Sequence, residues 1–317
     1  MKPKKGEMIA TREGYGDALV ELGAKYPNIV ALDGDLAKST RTIKFGKKYP
    51  ERFRYMGVSE ADLISTAAGL ALSGKIAFAS SFAVFITNRA HDQIRMCVAY
   101  SNANVKMVGS HGGILTGQDG PSAQAILDIG TMRGMPNMVV VVPADYYETF
   151  KATEAITKYE GPCYLRTNRE KTAVLFDESY NFEIGKGNVL EEGADATIFA
   201  CGAIGPEALR AREILKKEGI NFGVVNLASI KPIDENLIIK IAKKSNLLLS
   251  GEDHNIIGGL GSAVAEVLTE KYPKGLKRIG VKDCFATSGT PKELYERYEL
   301  DAKGITKKVK EGLKELS

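Results

Sequence analysis

The chain of 317 residues carries a formal net charge of +4 and is 44% hydrophobic and 26% charged. That length suits two domains of ordinary size, and that balance is expected of a soluble globular protein. So small a positive charge makes no case for nucleic acid, and no run approaches the roughly 18 apolar residues of a membrane span.

The N-terminal segment Met1-Lys2-Pro3-Lys4-Lys5 has no apolar core like that of a signal peptide, so a cytoplasmic location is expected. Thr11 is a candidate helix cap, and Ala18, Leu19, Leu22 and Ala24 follow at roughly helical spacing. Asn28 to Leu32 reads as a short apolar strand ending in Asp33-Gly34-Asp35, which has no second metal ligand at a suitable distance. A strand over 75–79 opens on Ser80-Ser81-Phe82, and a helix is expected from about Thr87 to Tyr100. A strand over 105–109 enters a Gly-rich loop from Ser110 to Ser122; a strand over 138–143, a helix over 146–158 and a strand over 162–166 follow.

Residues 168–192 are mostly polar, with 181–187 reading as a short strand in a linker. The alternation then restarts, with strands over 195–200, 221–227, 246–251 and 277–281 and helices over 205–218, 235–244 and 257–270. The Lys-rich tail after Ile305 reads as an exposed amphipathic helix. Apolar strands alternating with helices predict an α/β fold of two doubly wound domains, each a mainly parallel sheet flanked by helices. The expected division is 1–175, a linker over 176–192, and 193–317. In such sheets ligands sit at the carboxyl ends of the strands. Asp35, Glu60, Phe82, His111, Pro143 and Arg166 all fall at or just past strand ends.

Cys97, Cys163, Cys201 and Cys284 lie far apart without metal or redox spacing and are expected as buried free thiols. His91, His111 and His254 form no metal-binding pair, so no metal ligand is expected on this chain. Gly258-Gly259-Leu260-Gly261 at a helix start suits either a phosphate or close helix–strand packing, and the second is favoured because the dinucleotide fingerprint is incomplete. Glu60, in Gly57-Val58-Ser59-Glu60-Ala61-Asp62, sits at a strand-to-helix turn. Buried carboxyl groups hold their protons to higher pH and suit hydrogen-bond and proton-shuttle work. The loop Ser110 to Gln124, rich in Gly and carrying His111 and Asp119, is long enough inside a compact domain to point to binding.

Five stretches together carry a resemblance: Ala10-Thr11-Arg12, Leu32 through Ser39, the Glu60 turn, Phe82 through Met96, and His111 to Pro121. From about Met8 to Leu316 the chain resembles the pyrimidine-binding and C-terminal domains of the transketolase family of thiamine-diphosphate enzymes. The resemblance implies that Glu60 hydrogen-bonds N1′ of the cofactor's aminopyrimidine, promoting loss of the thiazolium proton so that the cofactor serves as electron sink. Phe82 and Phe85 match the aromatics around the pyrimidine, with Phe85 as the stacking ring, and Gln124 matches a retained cofactor-side glutamine. Arg12, Ser39, His111 and Arg166 match a sugar-phosphate set, and Asp119 matches an aspartate on a substrate hydroxyl. His111 is placed in the chemistry as well as in binding.

Ala123 stands where many relatives carry His. The resemblance places the diphosphate and its Mg²⁺ on a Gly-Asp-Gly…Asn stretch of a separate N-terminal subunit. That implies a hetero-oligomer, expected as a heterotetramer, acting on sugar phosphates of pentose phosphate metabolism. The rival readings are a deoxyxylulose-phosphate-synthase-like or 2-oxoacid-dehydrogenase β-type subunit, and a non-catalytic scaffold that keeps the fold.

Overall fold

The structure, a computed structural model, describes residues 2–316. Its strands are β1 (Met8–Ala10), β2 (Ile29–Asp33), β3 (Phe53–Tyr55), β4 (Ile76–Phe82), β5 (Val105–Ser110), β6 (Val139–Val141), β7 (Cys163–Arg166) and β8 (Lys171–Ala173). The second half adds β9 (Asn188–Glu191), β10 (Ala196–Ala200), β11 (Phe222–Asn226), β12 (Ser229–Lys231), β13 (Leu247–Asn255) and β14 (Leu276–Val281). The first large sheet has the order β12-β6-β7-β5-β4-β2-β3, parallel throughout except at β12.

Strand alternation explains how this sheet is covered on both faces. In β4, Ala77 and Ala79 pack with Leu63, Ile64, Ile94 and Val98 from the helices Glu60–Leu72 and Ile94–Tyr100. Ile76 and Phe78 pack the other way, against Tyr15 and Leu19 of the helix Thr11–Lys25 and Ile156 of the helix Tyr146–Lys158. The small side chains face the Glu60 helix and let it lie close to the sheet.

The second sheet has the order β14-β13-β10-β11-β9, parallel except at its β9 edge. Helices Ile204–Lys217, Glu235–Ala242, Leu260–Lys271 and Ala302–Lys314 accompany it. The two sheets do not stand apart. β12, from the second half of the chain, pairs antiparallel with β6 at the edge of the first sheet.

Several local expectations are corrected. Residues 181–187 form no strand: Lys186 N donates to Glu183 O in a turn and Gly185 has φ 85°, so the extended run begins only at β9. The helix expected from Thr87 starts at Ala83, breaks at Ala90 and ends as a π-helical stretch over Ile94–Tyr100. Cys163 and Cys201 are buried, Cys97 is half-buried and Cys284 is exposed, so not every thiol is interior. The C-terminal helix is amphipathic, but it is not free-standing, because Ile305 and Val309 are fully buried in the second domain's core.

Candidate functional site

Glu60 is the first residue of its helix, reached from β3 through Gly57, whose φ of 72° makes the turn. A carboxylate at that point is favoured by the helix dipole. It is also buried, at 3% exposure, and both oxygens are engaged. Ser81 Oγ donates to Oε1 at 3.1 Å, and Arg89 Nη1 meets Oε2 at 3.3 Å. Ser81 comes from the carboxyl end of β4 and Arg89 from the helix Ala83–Arg89, so three elements converge on one carboxylate.

A column of rings leads away from it. Phe82 and Phe85 stack with centroids 5.6 Å apart and planes 18° apart. Phe82 also stacks on His111, at 3.8 Å and 25°. His111 is held in the left-handed region, φ 64°, at the end of β5, and Ser110 Oγ lies 2.9 Å from its Nδ1. Such a conformation is uncommon for a residue with a side chain and is found where a side chain must be aimed. Burial, helped by the charges of Arg12, Arg169 and Arg41, pushes the His111 pKa down to about 3. The ring is therefore neutral at ordinary pH, a hydrogen-bonding group rather than a cation.

Beyond His111 the rim is cationic. Arg12 stands in the first turn of the helix Thr11–Lys25, its Nη1 donating to the Ser39 carbonyl at 3.0 Å. Burial and the neighbouring charge of Arg41 lower its pKa. Thr11 and Asn168 exchange hydrogen bonds, among them Asn168 N to Thr11 Oγ1 at 2.8 Å, which ties the Arg12 helix to the turn after β7. That turn carries Arg169, whose Nη1 lies 3.2 Å from both Asp119 oxygens. Arg169 and Asp119 are 41% and 40% exposed, so the pair is open to solvent.

Two expected ligands are not brought to this rim. Arg166 is buried at 5% exposure, its Nε 3.0 Å from Asp128 Oδ2 and its two terminal nitrogens on the Asp253 and Ala125 carbonyls. Its fork is spent inside, where β7 meets β13 of the second domain, and the more exposed arginine beyond β7 is Arg169, paired with Asp119. Gln124 donates through Nε2 to Thr287 O at 3.1 Å and so ties the loop to the second domain. Ala123, beside it, is buried. The sequence did carry a signal for the first point. Residues two apart on a strand share a face, and Tyr164 and Arg166 both reach Asp128 from β7. Arg169, past the strand end, is free of that constraint. The other residues missed are Ser81, Arg89 and Ser110, each within a stretch already singled out.

Other conspicuous groups are structural. Asp33 accepts from Leu36 N, Thr40 Oγ1 and Thr42 Oγ1 at 2.6 to 2.7 Å and so organises its own loop. Glu252 accepts from the amides of Leu260 and Gly261, capping the Gly-rich helix start from within. Among the described residues no three or more His, Cys, Asp or Glu gather as a metal site. No helix among them is long and apolar enough to cross a membrane. The buried carboxylate beside a flat aromatic wall suits one edge of a planar nitrogen heterocycle, and the arginine rim suits an anion.

Profiles of known families match consecutive parts of the chain: transketolase, pyrimidine binding domain, over residues 7–174, and transketolase, C-terminal domain, over residues 185–305. A Methanocaldococcus jannaschii protein described provisionally as a transketolase C-terminal section is 50% identical over 306 residues, 96% of each chain. A 6-deoxy-6-sulfo-D-fructose transketolase subunit of Clostridium sp. (strain MSTE9) is 40% identical, over 95% of this chain and 93% of its own. Among solved structures, a split gene transketolase described as an inactive beta4 tetramer superposes with a TM-score of 0.90 at 46% identity, covering 96% of this chain and 99% of its own.

Proposed function

Since the chain belongs to the transketolase family, we propose that it is the C-terminal subunit of a split transketolase, moving a two-carbon ketol unit between sugar phosphates. The observation that carries this reading is the continuous path from the buried Glu60 carboxylate along Phe85, Phe82 and His111 to the Arg12–Arg169 rim. One end suits the aminopyrimidine of thiamine diphosphate and the other a phosphate dianion. Bound there, the cofactor supplies the nucleophilic carbon and the electron sink that ketol transfer requires.

The chain's own residues divide the remaining work. Glu60 hydrogen-bonds the pyrimidine nitrogen and holds its proton, while Ser81 keeps the carboxylate oriented. Phe85 and Phe82 supply a dry wall against the ring. Neutral His111, fixed through Nδ1 by Ser110, orients the substrate oxygens. Arg12, Ser39 and Arg169 hold the phosphate, and Asp119, released from Arg169, takes a substrate hydroxyl. A simple 2-oxoacid needs no such cationic set, so the rim favours a phosphorylated sugar.

The diphosphate and its Mg²⁺ are assigned to a partner subunit. This part rests on the family resemblance and on the names of the relatives, which describe a C-terminal section, a subunit and a split gene. The test begins with a native mass spectrum of the chain purified gently from its own source. A second chain and thiamine diphosphate are expected in the assembly. Ketol transfer from a ketose phosphate to an aldose phosphate should then be lost in Glu60→Gln with the assembled mass unchanged. Full activity of Glu60→Gln would overturn the mechanism.

A further inference from the structure

The ring column is closed at its Glu60 end by a group of the protein's own. Arg89 lies one helical turn beyond Phe85 on the helix Ala83–Arg89. Its guanidinium carbon sits 4.1 Å from the Phe85 ring centroid, and from there Nη1 reaches Glu60 Oε2 at 3.3 Å. Ser81 takes one acceptor position on Oε1, so Arg89 is the group that covers Oε2.

A guanidinium is flat, stacks on aromatic faces and presents N–H donors along its edge. A heterocycle that stacks on Phe85 and hydrogen-bonds Glu60 must meet the same two partners with the same kind of surface. The two groups compete for one place. The two paired side chains differ in freedom: that of Glu60 is fixed in the interior at 2% exposure, whereas that of Arg89 is 50% exposed and has solvent to move into.

We propose that Arg89 is a displaceable stand-in for the cofactor's aminopyrimidine. It covers Glu60 and Phe85 before binding and swings out to solvent as the ring takes its place. The inference rests on the cofactor reading above. Arg89 is a positioning residue here: it pairs the buried carboxylate and keeps the Phe85 face covered, at the cost of a weaker apparent affinity for the cofactor. A surface ion pair of no consequence, the commonest role for such an arginine, would leave that affinity unchanged.

The experiment is a calorimetric titration of thiamine diphosphate, with Mg²⁺, into the chain assembled with its diphosphate-binding partner. Wild type, Arg89→Ala and Arg89→Lys are compared, each first checked for its melting temperature and assembled mass. Removing a stacked, paired cation should tighten binding by about threefold to tenfold. Arg89→Lys keeps the charge but loses the flat face, and should fall between the other two. Equal or weaker binding by Arg89→Ala, or by Arg89→Lys where the alanine variant does not assemble, would overturn the stand-in role while leaving the cofactor site intact. A wild-type assembly that binds no thiamine diphosphate would remove the cofactor reading, and this inference with it.

Discussion

Arg166 Nε lies 3.0 Å from Asp128 Oδ2, with both side chains buried at 5% and 1% exposure. The guanidinium also ties down the Asp253 carbonyl, so a single side chain joins β7, the segment after the His111 loop and β13 of the second domain. Removing one partner of a buried ion pair leaves the other uncompensated. Arg166→Met should therefore cost about 3–5 kcal/mol of stability in denaturant unfolding. A variant of unchanged stability that had lost only sugar-phosphate binding would return Arg166 to the ligand set.

Arg169 offers the opposite signature. Its pair with Asp119 is largely exposed, and such pairs contribute about 0–1 kcal/mol. Arg169→Ala should leave the unfolding curve within about 0.5 kcal/mol of wild type and raise KM for the phosphorylated sugar at least tenfold. An unphosphorylated ketose should be affected far less. Equal losses for both substrates would remove Arg169 from the phosphate site.

His111 predicts a pH signature. Its folded pKa is pushed down to about 3 from an ordinary 6.5, chiefly by burial. Between those values the unfolded chain binds the proton and the folded chain does not. The contribution of His111 to stability is thus complete above pH 6.5 and is lost as pH falls, by up to about 1.4 kcal/mol per unit. His111→Asn should remove this loss, so the difference in stability between variant and wild type should change steadily as unfolding is measured from pH 6.5 down to 4. A slope unchanged by the substitution would mean that the ring is not held neutral by its surroundings.

Glu148 acts with the opposite sign. It is fully buried between the two halves of the chain, Oε1 accepting from Tyr180 Oη and Asn226 Nδ2 at 2.7 Å and Oε2 from Ala144 N. Burial raises its pKa from 4.5 to about 7. The folded state then holds a proton that the unfolded chain has lost, so this contribution is full below pH 4.5 and disappears as pH rises through about 7. Wild type should show the two effects opposing one another between pH 4.5 and 6.5, and Glu148→Gln should leave the His111 slope exposed. A Glu148→Gln profile parallel to wild type would place the titration elsewhere.

What the sequence made legible followed from local periodicity. Ile76-Ala77-Phe78-Ala79 declares a strand buried on both faces, and the run from Glu60 into small residues declares a helix that must pack closely. The pairing of β12 with β6 was not legible, because Ser229 and Val141 are joined only by the closed fold and three residues carry no period. β1 and β8, three residues each, pair only with one another and fail for the same reason. At the site, Glu60 and Phe82 were legible from their places at strand ends, whereas Phe85 and the grouping of the three came with the family resemblance. Strand parity turns Arg166 inward with Tyr164 onto Asp128, and the Arg89–Glu60 contact comes from a helix that begins four residues earlier than its apolar pattern suggests.

Gly113 makes the dependence of the His111 loop on the second domain testable. Its φ of 74° is a left-handed conformation, and a Cβ there would land on the Asp253 carboxylate. That carboxylate accepts from Ile114 N at 2.8 Å and Leu115 N at 3.3 Å, and Tyr295 Oη lies 3.2 Å from it. Gly113→Ala must therefore either strain the backbone or push the loop off Asp253, at a cost of about 2–4 kcal/mol. Because the strand cores on either side are untouched, the damage should be local. Hydrogen exchange at Ile114 and Leu115 should rise by at least tenfold while amides in β4 and β10 keep their protection. Uniform loss of protection would instead mean that this contact holds the two domains together, and unchanged exchange would mean that Asp253 does not hold the loop.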